Sequence, residues 1–183
     1  EEPAKKTYVR LISCWTGIVR DLIKERIEEV RKEWSVIKDN IFVYDSVDVS
    51  MDDLNNYCEE NEVDIIIIDQ LDKINIRGNY NAQHEKLKEI YKQARELAKR
   101  NNVLVIGISQ AGAEAHNQQR IDFNWLDNSK TGKAGEADLI IGIGKPRDSD
   151  KDYDRWLYLS KNKLTGEHID IECSLNHTLS RYE

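Results

Sequence analysis

An unbroken apolar run, Val63-Asp-Ile-Ile-Ile-Ile-Asp69, ends in a carboxylate. Four consecutive isoleucines suit a short strand buried on both faces, as in a parallel sheet covered by helices. An acid at the carboxyl end of such a strand sits at the sheet rim, where open α/β folds bind ligands. There it could hold a hard cation, Mg²⁺ on a nucleoside triphosphate. The other reading is an aspartate that ends the strand and starts a turn.

Two further groups could share that chemistry. The apolar segment 103–108 leads into Ser109-Gln110. An amide at that end can donate to a phosphate oxygen and accept from water, or make an ordinary turn hydrogen bond. Lys161-Asn162-Lys163 puts two ammonium groups on one side of an extended chain. They would double the positive charge toward a ligand, or simply solvate the surface. A phosphate cradle is missing, because Gly-x-x-x-x-Gly-Lys-Ser/Thr does not occur. Gly132-Lys133-Ala134 lacks both the hydroxyl and the earlier glycine, and Gly142-Ile-Gly-Lys145-Pro146 has proline where the hydroxyl belongs. Gln70 follows Asp69, so any catalytic carboxylate would come from another strand end.

The elements that must position these groups alternate. Pro3 opens a helix through Tyr8, Leu11, Ile12 and Trp15, which Gly17 stops. A second helix carries Val19, Leu22, Ile23, Ile27, Val30 and Trp34 on one face, and 41–44 reads as a short strand. Ser50 with Asp53 resembles a capping box opening a third helix. Leu71–Gln83 is a polar loop running into a helix striped by Leu87, Ile90, Tyr91, Ala94, Leu97 and Ala98. Ala111–Lys133 reads as a long polar loop, a length that is usually functional or disordered. Ala137–Gly144 is a third buried strand. Trp156–Ser160 and His168–Cys173 form a hairpin around Thr165-Gly166.

At 183 residues the chain suits one domain with a real core. No apolar run approaches the ~20 residues of a membrane span. Cys14, Cys58 and Cys173 are odd in number and scattered, which fits a reducing compartment and no metal motif. The net charge of −7 argues against a basic nucleic-acid coat. A narrow channel lined by a few local cations stays open to DNA.

Taken in order, Ile-Ile-Ile-Ile-Asp69-Gln-Leu-Asp-Lys, Gly-Ile-Ser-Gln110, Leu126-Asp-Asn-Ser-Lys-Thr-Gly132, Glu136-Ala-Asp-Leu-Ile-Ile and Lys161-Asn-Lys163 with Thr165-Gly166 resemble one family. It is the ATPase domain of ring-shaped replicative helicases, the DnaB-like proteins and phage helicase–primases, built on a RecA-like core. The resemblance implies an α/β fold over residues 1–183, with a mostly parallel sheet flanked by helices and a C-terminal antiparallel strand pair. It implies a single domain that begins just after the phosphate-binding segment, so the 183 residues alone would bind ATP poorly and show no turnover.

The same resemblance implies ATP and Mg²⁺ as cofactors. Asp69 would be the Walker B metal residue and Gln110 the γ-phosphate sensor. Glu1, or alternatively Glu2, would be the catalytic base. Lys161 and Lys163 stand where the family carries Lys-x-Arg, whose arginine acts on the neighbouring subunit's nucleotide. A lysine cannot form the planar fork, although RecA-like recombinases use lysines in this way. The central DNA loops would lie at 71–83 and 111–133. Lys73 and Arg77 in the first, and Asn117, Arg120 and Lys130 in the second, would touch the backbone, which positions DNA without reading it. Single-stranded DNA, a homo-hexameric ring and a primase would be the partners, in the cytoplasm of a bacterium or a phage-infected cell. A recombinase-type or clock-type ATPase is the first alternative, and a degenerate core that only binds partners is the second.

Overall fold

The computed structural model describes residues 3–126, 130–145 and 152–183, with Lys130 and Thr131 by backbone alone. The chain forms two compact units. The first is Glu1–Val47, Ser149–Arg155 and Cys173–Glu183; the second is Asp48–Asp148 and Trp156–Glu172.

In the first unit, helix α1 (Ala4–Thr16) starts at Pro3, and its first N–H donates to Asp45 Oδ2 at 2.9 Å. Gly17 ends it with φ 68°, and its N–H returns to the Ser13 carbonyl. The expected second helix is broken. A 3₁₀ turn at Arg20–Leu22 precedes a shorter helix α2, Ile27–Trp34. The break buries Val30 while Leu22 and Ile27 stay exposed, so packing overrides the helical period. The strand expected at 41–44 is extended but unpaired, because the Val43 N–H bonds Tyr8 Oη instead of a ladder partner.

The second unit begins with helix α3 (Met51–Glu60), closed by the expected capping box of Ser50 and Asp53. Strand β1 (Ile65–Asp69) pairs in parallel with β2 (Leu104–Ile108), and helix α4 (Gln83–Asn101) connects them. Asn102, left-handed at φ 53°, ends α4. Ile68, Leu71, Ile74, Leu87, Ile90, Ala94 and Leu97 form the core with Met51. Burying a large aliphatic chain stabilises by about 1.5–3 kcal/mol, so this cluster holds α3 and α4 to one face of the strands. Their other face is uncovered, with Ile65, Ile67, Leu104, Ile106 and Ile108 all exposed.

The long polar segment is more ordered than expected. It contains two 3₁₀ turns and a helix α5, Lys130–Glu136. The remaining strands are β3 (Leu139–Gly144), β4 (Asp154–Asn162), β5 (Asp170–Asn176) and β6 (Arg181–Tyr182), a four-stranded sheet in that order. The pairs β3–β4 and β5–β6 are antiparallel. The sheet is therefore not mostly parallel: among the described residues β1–β2 is the parallel pair. The links after β4 and β5 are too short for a crossover, which fixes an antiparallel arrangement.

Candidate functional site

Parallel register sets Asp69 beside Ile108, so the carboxylate ending β1 lies level with the end of β2, two residues before Gln110. Side chains alternate across a strand. Asp69 therefore shares the uncovered face with Ile65 and Ile67, and it is exposed. Gln110 is exposed as well. The peptide between Asp69 and Gln70 is cis.

Just behind these two ends lies a buried ionic cluster that sequence reasoning missed. Gly107 is the start of it. A Cβ there would lie 2.5 Å from Leu71 Cδ2, so the bare glycine lets Leu71 fold over β2. That fold brings Asp72 to Ser109, whose hydroxyl donates to Asp72 Oδ2 at 3.0 Å. Lys133, on α5 and fully buried, donates to the same carboxylate oxygen at 2.6 Å and to Ser109 Oγ at 3.1 Å. Tyr91, on α4, donates to Asp72 Oδ1 at 2.7 Å, and its ring centroid lies 5.7 Å from the Lys133 ammonium. A buried charge needs a partner and hydrogen bonds, and this cluster supplies both.

Burial pushes the Tyr91 hydroxyl up, and the Asp72 charge adds to the rise against an opposing Ser109 hydrogen bond. A raised folded value means that folding favours the proton-bound form, so this contribution is full below the ordinary tyrosine pKa and is lost as pH rises above it. Tyr91→Phe should accordingly leave the ultraviolet ionisation step near pH ~10 unchanged. A smaller step in the variant would show that Tyr91 titrates normally.

Lys161 and Lys163 do converge, but on α5. Lys161 Nζ donates to the Ala134 carbonyl, and Lys163 Nζ to the Gly135 carbonyl at 3.1 Å. Arg95 donates to the Glu136 carbonyl. Three cations thus satisfy the last carbonyls of one helix, where its dipole favours positive charge. A bulge in the β3–β4 ladder at Ile140/Ile141 leaves Ser160 without a ladder partner beside Lys161, as bulges re-aim side chains. Burial lowers the Lys161 ammonium, helped by the charge of Lys163. Burial works to raise the Asp138 carboxyl, but Lys163 and Arg95 hold it below its ordinary value.

The candidate DNA contacts are dispersed. Lys73 is exposed in the 3₁₀ turn after β1. Arg77 pairs with Asp52 at 3.2 Å. Asn117 is exposed and left-handed at φ 61°. Arg120 makes a two-pronged pair with Asp170, with Nε to Oδ1 at 3.0 Å, and Asp170 raises its guanidinium above its ordinary range. Both arginines are therefore engaged by carboxylates, although exposed pairs of this kind are weak and screened by salt. Glu1 and Glu2 lie outside the described residues, as does the side chain of Lys130.

No curated protein matches the chain. A solved helicase-type ATPase domain superposes with TM-score 0.86 at 17% identity, covering 100% of this chain and 71% of that one. A second structure, of a DnaB-like replicative helicase and its interactions with primase, gives TM-score 0.85 at 17% identity, covering 100% and 49%. The chain thus spans about half of the second relative. These likenesses establish the α/β fold of the RecA-like helicase domain. The model of the family described as DnaB-like helicase C terminal domain matches residues 1–182, and the chain belongs to that family.

Proposed function

We propose that this chain is the ATP-hydrolysing motor of a replicative DNA helicase, working as a ring, expected to be hexameric, around single-stranded DNA. The observation that carries the reading is the β1–β2 register, which sets the exposed Asp69 and the approach to Gln110 at one sheet rim. A lone carboxylate fits Mg²⁺, which takes one or two carboxylates and completes its shell with water and phosphates. Among the described residues no group of three acidic, histidine or cysteine side chains could hold a metal without such help. Asp69 would hold the ion, which neutralises charge developing on the phosphates. Gln110 would orient the γ-phosphate or the attacking water, and Glu1, or else Glu2, would take the proton.

The phosphate cradle would come from residues beyond these 183, and such a segment would cover the apolar face of β1 and β2. Lys161 and Lys163 would reach a neighbour's nucleotide by exchanging their bonds to α5. DNA would follow segments 71–83 and 111–133, touching Lys73, Arg77, Asn117, Arg120 and Lys130, and Arg120 would trade Asp170 for a phosphate. A primase is a further proposed partner, on the strength of the second neighbour's description alone.

The test is a forked duplex offered to the full-length protein with ATP and Mg²⁺. ATP-dependent unwinding is the expected result. Strand exchange without unwinding would favour a recombinase-type motor, the reading that the lysine in place of arginine at position 163 supports.

A further inference from the structure

The reading above leaves the Lys133 cluster unused. We propose that Lys133 is a positioning residue that couples DNA contact by segment 111–133 to Gln110; this rests on the motor reading. The segment departs from Gln110 and returns through α5, and it is tied along its length. Ala111 bridges Leu126, and the Gly112 N–H donates to the Trp125 carbonyl at 2.6 Å. The Phe123 N–H donates to Ser160 Oγ at 2.6 Å. The backbone at 119–121 lies so close to β3 that a Cβ on Gly142 would collide with the Ile121 carbonyl oxygen, and one on Gly144 with that of Gln119. A segment held in this way moves as a body.

Lys133 connects that body to both strand ends at once. Its ammonium touches Asp72, three residues after Asp69, and Ser109, one residue before Gln110. The ammonium is sealed from water, so it cannot trade either bond for a solvent one. When α5 shifts, Ser109 must follow or the bond must break. That is a discrete two-state element, the physical requirement for coupling two sites. A phosphate drawing Arg120 away from Asp170 would act at one end, and Gln110 would respond at the other.

The experiment measures ATP hydrolysis by the full-length protein with and without single-stranded oligo(dT). Lys133→Met alone leaves Asp72 without its counter-charge and could fail to fold, so two other variants carry the test. Ser109→Ala removes the tie to the strand end and keeps the Lys133–Asp72 pair. The double variant Asp72→Leu/Lys133→Met removes both charges at similar volume. Both are expected to keep the DNA-free rate while the ratio of stimulated to unstimulated rate falls about fivefold or more, the usual scale of coupling between sites. An unchanged ratio in both variants, whatever happens to the melting temperature, makes the cluster a purely structural tie and overturns the inference. A wild-type rate that DNA does not alter overturns the motor reading itself, and this proposal with it.

Discussion

Lys133→Met should lower the unfolding free energy of the chain by about 3 kcal/mol, read as a drop in the urea midpoint at unchanged slope. The variant keeps the packing of the lysine stem but strips Asp72 of its positive partner. Tyr91 and Ser109 would still donate to that carboxylate. Two neutral hydrogen bonds do not replace a charge, and breaking a buried pair typically costs about 3–5 kcal/mol. The Asp72 side chain keeps 21% of its exposure, which places the expectation at the low end. Asp72→Leu/Lys133→Met should return to within about 1 kcal/mol of the parent, since paired removal of buried charges is often neutral. Strict additivity of the two single changes would show that the groups do not interact.

Asp69→Ala should lower ATP hydrolysis by the full-length protein at least about 100-fold. Loss of groups that merely support a metal ligand costs about 10–100-fold, and Asp69 would be the ligand itself. Its exposed position at the β1 terminus puts it outside the core, so the melting temperature should hold. Turnover that survives the substitution would make the site vestigial and leave the chain a partner-binding core.

The parts of the fold legible in the sequence are those set by neighbours along the chain. The isoleucine run, the Ser50–Asp53 box and the α4 stripe each carry their own signal, and Asp69 and Gln110 inherit their places from the strands they end. The pairings of Arg77 and Arg120 were not legible, because the acid that claims a guanidinium can lie anywhere; Asp170 is 50 residues from Arg120. The convergence of Lys161 and Lys163 followed from strand alternation, but their target, the end of α5, did not. The Lys133 cluster joins residues up to 61 positions apart. Its one local hint was Tyr91 inside an apolar stripe, since a buried phenol needs a hydrogen-bond partner. Lys133 itself drew notice only as part of a failed phosphate-loop match.

The bare isoleucine face of β1 and β2 leaves a calorimetric signature. Apolar area that is already wet in the folded chain releases nothing on melting, so heat uptake per degree should fall below the usual ~12–15 cal/mol/K per residue. Any segment or neighbour that seals Ile65, Ile67, Leu104, Ile106 and Ile108 would restore that quantity. Its association would carry a negative heat-capacity change of about 0.45 cal/mol/K for each Å² of apolar area it dries.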